Sequence, residues 1–335
     1  MADRKRPEAP RAEKTLPGIW RLRLPLPWPG VPHGNVWVVT AQDGGIVLFD
    51  TGIGGKGGFR RFDLALAQAG FSIEDVRLVV CTHSHTDHYG LAAPIVAGAG
   101  CELWMHPAWE HVRLLGDDPA AALEQRIEVA RQSGVPPASL ERYRESRKGD
   151  NETGIDAIVE PDRDLLPGVE VETDLGGWNV HETPGHAPSH VVLHQPEHRL
   201  LISGDHLLGR TVLFFDHGHS PDPLGEFLGS LDEIEPLEVD LVLPGHGRPF
   251  RDPAVKIAEA RRQVEQLLGK CRDALAEGEK TGFEIVAEIV GPEGAHSAPA
   301  SAWALQIVLS GLDHLAILGE VAAVEGTDPQ RWALQ

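Results

Sequence analysis

A short segment of the sequence carries a high density of side chains that bind metals. Residues 82–88 read THSHTDH, so three imidazoles and one carboxylate fall within six residues. They directly follow an apolar stretch of strand length. Nitrogen and carboxylate oxygen donors at this density are typical of a transition-metal site, whereas the alternative is a solvated polar turn. The segment therefore predicts metal binding by His83, His85, Asp87 and His88.

Three further candidate ligands each come just past the end of an apolar stretch. They are His186 in PGH, Asp205 in SGD and His246 in PGHG. The glycine beside each one allows the backbone to turn sharply and to approach other groups closely. Loops at strand ends cluster over a rigid sheet, where binding sites are usually built. We therefore expect these three side chains to join the 82–88 segment.

In type and order these residues resemble the metallo-β-lactamase superfamily, in which an HxHxDH segment is followed by a later His, Asp and His. The resemblance covers about residues 17–250 and implies an α+β fold, a four-layer αβ/βα sandwich, for residues 17–252. It also implies two groups of metal ligands that share one bridging carboxylate. One metal would be held by His83, His85 and His186, the second by Asp87, His88 and His246, and both by Asp205.

Asp50, in the sequence FDTG, matches a position that supports the metal ligands from behind in this family. Such a residue fixes the tautomer and the direction of the coordinating imidazoles. From spacing alone, Asp50 would be interpreted as a turn residue.

Seven nitrogen and oxygen ligands suit two borderline divalent cations about 3.5 to 4 Å apart. Such a pair acidifies a shared water and polarises a carbonyl or phosphoryl oxygen, so we expect hydrolysis by a hydroxide that bridges the metals. The predicted catalytic carboxylates are Asp205, which bridges, and Asp87, which could also orient the hydroxide or move a proton. Zinc is the predicted metal, although iron or manganese accepts the same ligands.

The ligand set narrows the class of hydrolase. True lactamases of the superfamily commonly have cysteine at the position of Asp205 and no ligand at that of His88, so antibiotic hydrolysis is not expected. The pattern resembles the branch that contains glyoxalase II thioesterases, lactonases and tRNA-processing nucleases. We expect a thioester or ester substrate, because a thiolate leaves without a proton donor and no general acid is evident beside the ligands. A lactonase and a phosphodiesterase or single-strand nuclease are the alternative enzymes.

Hydrophobic periodicity predicts the strands and helices that must position these residues. Gly44-Gly45 indicates a hairpin, and a glycine-rich loop leads into a helix that stops at Gly70. Short apolar or alternating stretches precede every predicted ligand. Strands are predicted at residues 19–24, 36–39, 46–49, 78–81, 200–204 and 241–243, and within 180–194.

Two regions lie outside this strand pattern. A charged insertion at about residues 107–164 has helical character, with an apolar side formed by Leu114, Leu123, Ile127 and Ala130, and is predicted to be a lid over the pocket. Its arginines could alternatively hold the phosphate of a coenzyme A thioester. The second region, the sequence DHGH at residues 216–219, is predicted to be a loop at the pocket mouth rather than a third metal site.

Two further histidines, His190 and His206, are candidates to support the metal ligands from behind.

Residues 253–335 have the outline of a winged-helix domain: three helices, at about residues 254–277, 281–291 and 301–318, and a strand at 321–324. A winged helix that reads DNA needs Lys and Arg, but residues 281–330 contain neither. We therefore expect no DNA binding, which disfavours the non-enzyme alternative, a ligand-sensing winged-helix regulator. Completing the pocket wall or forming a homodimer contact is the expected role.

Composition excludes several classes of partner. The 335 residues include 30 Lys and Arg against 50 Asp and Glu, and a net charge of −20 repels nucleic acid and anionic lipid. Apolar stretches are far shorter than the about 20 residues that span a bilayer. A small-molecule substrate is therefore expected. The three cysteines form no CxxC pair, so we expect a cytoplasmic protein without disulfides, preceded by a disordered tail at residues 1–16.

Overall fold

Two β-sheets packed face to face form the centre of the molecule. A computed structural model describes residues 9–28, 30–147, 153–291, 294 and 298–335. Within them, the first sheet has seven strands that lie side by side in chain order. These are β1 (Arg11–Leu16), β2 (Ile19–Pro25), β3 (His33–Thr40), β4 (Ile46–Phe49), β5 (Val76–Val80), β6 (Glu102–Met105) and β7 (Arg163–Asp164).

The second sheet of the described residues has five strands. They are β8 (Glu170–Thr173), β9 (Gly176–Glu182), β10 (Val191–Gln195), β11 (Leu200–Gly204) and β12 (Leu241–Pro244). The order across the sheet is β12, β11, β10, β9, β8, and only the β11–β12 pair is parallel. Because β11 and β12 run in the same direction, the residues after both strands emerge at the same edge.

Helices cover the outer faces of the two sheets. Short 3₁₀ helices occur at Ile73–Asp75 and Pro107–Val112. The α-helices of the described residues are α1 (Gly58–Ala69), α2 (Thr86–Tyr89), α3 (Ala92–Ala99), α4 (Arg113–Asp117), α5 (Pro119–Gln132), α6 (Pro137–Ser146), α7 (Pro223–Ile234), α8 (Pro253–Leu275), α9 (Gly282–Val290) and α10 (Ala298–Ile317).

Three hydrophobic clusters hold these layers together. One lies between the sheets and contains the fully buried rings of Trp37, Phe49 and Trp178. A second packs α1 and α3 against the first sheet, and the third packs α7, α8, α9 and α10 against the second. Burying a large apolar side chain stabilises the fold by roughly 1.5 to 3 kcal/mol, so each interface is substantial. The predicted layering of helix, sheet, sheet and helix is present.

The predicted tail is wrong for part of its length. Residues 11–16 form β1, which pairs antiparallel with β2, while residues 1–8 lie outside the described residues. Its charged side chains, among them Arg11 and Lys14, are partly or fully exposed, as is common on an edge strand. Those charges conceal the strand in the sequence, because a polar edge strand has no apolar periodicity.

The insertion is helical from Pro107 to Ser146, as predicted, and ends in the short strand β7. Ile127 is buried and Leu123 and Ala130 are half-buried, but Leu114 is exposed. Leu114 lies in α4, a helix of five residues that is separate from α5. The predicted apolar side is therefore broken between the two helices.

The C-terminal region contains the three predicted helices and the predicted strand, with two strands that the sequence did not predict. Its order is α8, β13 (Lys280–Thr281), α9, α10, β14 (Val321–Val324) and β15 (Arg331–Leu334), and the strands form one sheet. Thr281 caps α9 in a capping box with Glu284, as its position suggested. Among the described residues, no helix combines the length and apolar character required to cross a bilayer.

Candidate metal centre

The seven predicted ligands converge at one edge of the sandwich. His83 and His85 follow β5, and Asp87 and His88 lie in α2. The other three ligands are His186 in the β9–β10 loop, Asp205 directly after β11 and His246 shortly after β12. Each therefore lies shortly after the end of a strand, as predicted.

The first group consists of three imidazoles. Nδ1 of His85 lies 3.1 Å from Nε2 of His83 and 3.0 Å from Nε2 of His186. Three ring nitrogens at this separation face a common point, and this donor set could hold one transition-metal ion.

The second group is anionic. Nε2 of His246 lies 3.1 Å from Oδ2 of Asp87 and 3.1 Å from Oδ2 of Asp205. Nε2 of His88 lies 3.6 Å from Asp87 and 3.5 Å from Asp205. Asp205 also reaches the first group, because its Oδ2 is 3.7 Å from Nε2 of His186. Asp205 thus lies between the two groups, where a bridging ligand is expected.

Three metal-binding atoms of the second group have charged neighbours but make no hydrogen bond within the described residues. Oδ2 of Asp87, Nε2 of His88 and Oδ1 of Asp205 are buried and make no hydrogen bond of acceptable geometry within the described part of the chain. Leaving such groups unsatisfied is costly, so buried polar atoms are normally paired or coordinate a metal. The chemistry and burial of these atoms fit divalent cations.

Hydrogen bonds on the opposite ring nitrogens fix the orientation of the imidazoles. Nδ1 of His88 donates to Asp50 at 2.8 Å, and Nδ1 of His246 donates to the backbone carbonyl of His33 at 3.0 Å. Asp50 also accepts from the backbone N–H and the hydroxyl of Thr82. Asp50 therefore lies behind the second group, in the position that a supporting carboxylate requires.

Thr82 extends this support to the first group. Because its hydroxyl donates to Asp50, its oxygen accepts from Nδ1 of His83, 3.0 Å away. This leaves Nε2 of His83 without a proton and directed at the ring nitrogens of the other two ligands of the first group. The hydrogen-bond chain therefore selects the tautomer that coordinates a metal.

Burial and neighbouring charges shift the pKa values of the ligand imidazoles in different directions. Burial lowers the pKa of His186 to about 4, and burial together with neighbouring imidazoles holds the pKa of His83 well below its usual value. Burial also disfavours a charged His246, but the carboxylates of Asp205 and Asp87 outweigh it and raise the pKa of His246 to about 10. A cation that binds the second group would displace such protons.

Asp216 is a supporting residue that the sequence did not predict. Oδ2 of Asp216 accepts a hydrogen bond of 2.8 Å from Nε2 of His85. Burial opposes a charged His85, but Asp216 outweighs that effect and raises the pKa of His85. The sequence predicts only a loop at the pocket mouth for Asp216, and its contact with a ligand 131 residues away leaves no local signal. The DHGH sequence is the only indication.

His190 supports the centre through the backbone. The N–H of Asp205 donates to Nε2 of His190 at 3.1 Å, and Nδ1 of His190 donates to the hydroxyl of Thr183 at 2.8 Å. His190 therefore accepts a hydrogen bond beside Asp205 rather than donating one.

Two glycines permit this close packing. A Cβ on Gly245 would lie 2.3 Å from Oδ1 of Asp205, and a Cβ on Gly204, whose φ is 47°, would lie 2.6 Å from Nε2 of His190. Both separations are shorter than a Cβ allows. The expectation that glycine permits close approach beside the ligands therefore applies at both positions.

The family of the chain follows from this fold and site together with sequence similarity. The metallo-beta-lactamase superfamily sequence model matches residues 29–246. The chain therefore belongs to the metallo-β-lactamase superfamily, and its class is that of a metallo-hydrolase.

Individual proteins show further similarity, in one case over nearly the whole chain. The crystal structure of TTHA1429, a metallo-beta-lactamase family protein from Thermus thermophilus, superimposes with a TM-score of 0.80, at 26% identity, over 96% of this chain and all of that one. The probable metallo-hydrolase YqjP of Bacillus subtilis is 24% identical over 82% of this chain and 86% of its own. The hydroxyacylglutathione hydrolase GloC of Haemophilus influenzae is 24% identical over 52% of this chain and 69% of its own.

Proposed function

We propose that this chain hydrolyses a thioester or ester of a small or medium acyl group with two bound metal ions. The observation that carries the proposal is the convergence of seven nitrogen and oxygen donors, three of which are buried atoms that make no hydrogen bond of acceptable geometry to any described residue. The name of GloC, a hydrolase of an acylated glutathione, supports a thioester substrate.

The donors divide between two cations, proposed to be zinc. His83, His85 and His186 would hold one, Asp87, His88 and His246 the other, and Asp205 both. When bound, the cations supply a Lewis acid for the carbonyl oxygen and lower the pKa of water.

Asp87 and Asp205, whose Oδ2 atoms each lie 3.1 Å from Nε2 of His246, would orient the attacking water. Oδ2 of Asp87 receives the proton that the water loses as its oxygen bonds to the acyl carbon. The carbon–sulfur bond breaks, the sulfur leaves with the electron pair, and the proton passes to the thiolate. Thioester and water thus become a carboxylic acid and a thiol. A thiolate is a weak base, which suits a site without a dedicated acid.

We further propose that residues 253–335 form a winged-helix-like domain that completes the pocket wall of the catalytic domain before it, in which β1 (Arg11–Leu16) is the first strand of the sandwich. The order of helix, strand, two helices and two strands supports this. Arg131 of α5 pairs with Asp328, and the carbonyl of Gln132 accepts from the N–H of Gln330, so the insertion rests on this region. The absence of Lys and Arg from residues 281–330 disfavours DNA as a partner.

The proposed partner is therefore a small molecule, and the proposed compartment is the reducing cytoplasm. The three cysteines, Cys81, Cys101 and Cys271, are all unpaired, which suits that compartment.

Thiol release from a panel of glutathione and coenzyme A thioesters, by zinc-loaded protein, tests the proposal. Asp205→Ala removes the ligand that both groups share, so we expect at least about a thousandfold loss of kcat/KM and fewer than two bound metals per chain. Asp43→Ala, which removes an exposed carboxylate paired with Arg77, is the control and should change neither. If the loaded protein releases no thiol, the thioester proposal is wrong, and lactones and phosphodiesters become the next substrates to assay.

A further inference from the structure

An aromatic side chain lies directly against the first group of predicted ligands. Phe214 is in the segment between β11 and α7, residues 205–222, called here the β11–α7 loop. Its ring centroid is 5.4 Å from that of His186 and 5.7 Å from that of His85. Phe214 is half-buried, so part of its ring remains accessible beside these two imidazoles.

The loop alternates in the manner of an extended chain. Phe215 is fully buried in the cluster beneath the second sheet, and Leu213 packs against the same cluster. Phe214 and Val212 point away from that cluster, and Val212 is 46% exposed. The apolar side chains on this outer side are not needed to fill the core.

A second aromatic residue comes from a distant part of the chain. Trp303 of α10 lies edge-on to Phe214, with ring centroids 5.7 Å apart, and remains 37% exposed. The two rings form a continuous apolar surface, called here the aromatic wall, that begins at the metal ligands and extends onto the C-terminal region.

Helix α10 holds the wall in place. Oε1 of Gln306 accepts from the backbone N–H of His217 at 3.2 Å, and the ring of His217 pairs with Asp313 at 3.0 Å. His314 pairs with Asp222 at the far end of the loop. Three contacts from one helix fix the loop, so the wall is formed before a ligand arrives, which favours binding.

We propose that Phe214 and Trp303 bind the apolar chain of the acyl group, so that helix α10 sets the acyl-chain preference. This inference rests on the proposed function, because the wall begins beside the ligands that would hold the reacting carbonyl. Neither ring offers charge to a substrate, and burial of each methylene against such a surface strengthens binding about fourfold. The preferred acyl group is therefore a linear or branched hydrocarbon chain of several carbons.

A chain-length series tests the wall. We expect wild-type kcat/KM to rise from butyryl to octanoyl thioesters, and Trp303→Ala to lower octanoyl hydrolysis about tenfold more than butyryl hydrolysis, mainly through KM, at unchanged metal content. Trp303→Phe should restore part of the preference. Ile317→Ala is the matched control, since Ile317 is an exposed apolar residue of the same helix about 20 Å further along its axis. An equal loss for both chain lengths would overturn the inference.

A binding experiment separates failure of the wall from failure of the proposed function. Calorimetric titration of the zinc-loaded protein with octanoate and with butyrate requires no turnover. We expect octanoate to bind at least about tenfold more tightly and Trp303→Ala to reduce that ratio to below about threefold. If no thioester is hydrolysed but the ratio responds in this way, only the thioester proposal fails. If the ratio is the same in wild type and variant, the wall does not bind acyl chains.

Discussion

The two groups of predicted ligands differ in what holds them. The second group is supported from within the first sheet: Asp50 follows β4 and is 1% exposed, and the carbonyl of His33 belongs to β3. In the first group, His83 is also supported from the sandwich, through Thr82 and Asp50, but His85 is supported by Asp216. Asp216 lies in the β11–α7 loop, and the next residue of that loop, His217, contacts α10. His85 is thus the ligand whose support depends on a loop that the C-terminal region contacts.

This difference connects the C-terminal region to the surroundings of one predicted ligand. The superfamily match covers residues 29–246 and so includes every predicted ligand, but α10 lies beyond it. The ligand set is therefore complete without α10, whereas the environment of His85 is not. We expect changes behind the second group to affect folding, and changes behind the first group to affect metal affinity.

Asp50→Ala should have the largest effect. It leaves the buried N–H groups of Thr82 and His88 without their acceptor, and breaking a buried pair of this kind costs about 3 to 5 kcal/mol. Urea unfolding should show a fall of this size in the free energy of unfolding, together with loss of one metal per chain. A fall below about 1 kcal/mol would contradict a structural role for Asp50.

Asp216→Asn should weaken metal binding while the fold remains stable. Loss of a carboxylate behind a coordinating histidine typically lowers metal affinity about 10- to 100-fold. Competition with a chromogenic chelator should reveal this loss for one of the two metals. Glu182→Gln is a matched control, because the Glu182 carboxylate accepts from His106 at the same 2.8 Å and makes no hydrogen bond to a predicted ligand among the described residues. Equal weakening of both metals would show that the two groups do not differ in support.

Asp313→Asn should have the smallest effect. Its pair with His217 is partly exposed, and such pairs contribute about 0 to 1 kcal/mol, so we expect at most about a fivefold loss of metal affinity. The informative quantity is the coupling with Asp216→Asn in a double-mutant cycle. Coupling of about 0.5 kcal/mol or more would connect α10 to His85 through the loop. Strict additivity would argue that the helix and the ligand act independently.

Local signals explain what could be predicted from the sequence. The strands before the predicted ligands are apolar runs, and residues 83–88 are contiguous, so both are evident without the fold. Glycine beside Asp205 and His246 indicates close approach, and the structure shows the backbone of Gly245 against Asp205 and that of Gly204 against His190. The three C-terminal helices are evident from apolar spacing and from the cap at Thr281.

Features that depend on distant contacts were missed. Asp216 reaches His85 across 131 residues, and Trp303 meets Phe214 from another region of the chain, so neither contact has a spacing that a sequence pattern could reveal. β1 was missed because its residues are charged, and β13 and β15 because a strand of two to four residues is stabilised by its partners. The helices and strands that were predicted correctly are those whose own residues show a hydrophobic periodicity.

The hold of α10 on the β11–α7 loop has a consequence for synthesis. Every predicted ligand up to His246 leaves the ribosome before α10, and at about 5 to 20 residues per second that helix follows on the order of 10 s later. During this interval Asp50 can already support His88, but the loop lacks Gln306 and Asp313. A nascent chain therefore forms its second group first, and the first group reaches its final geometry only once α10 has folded.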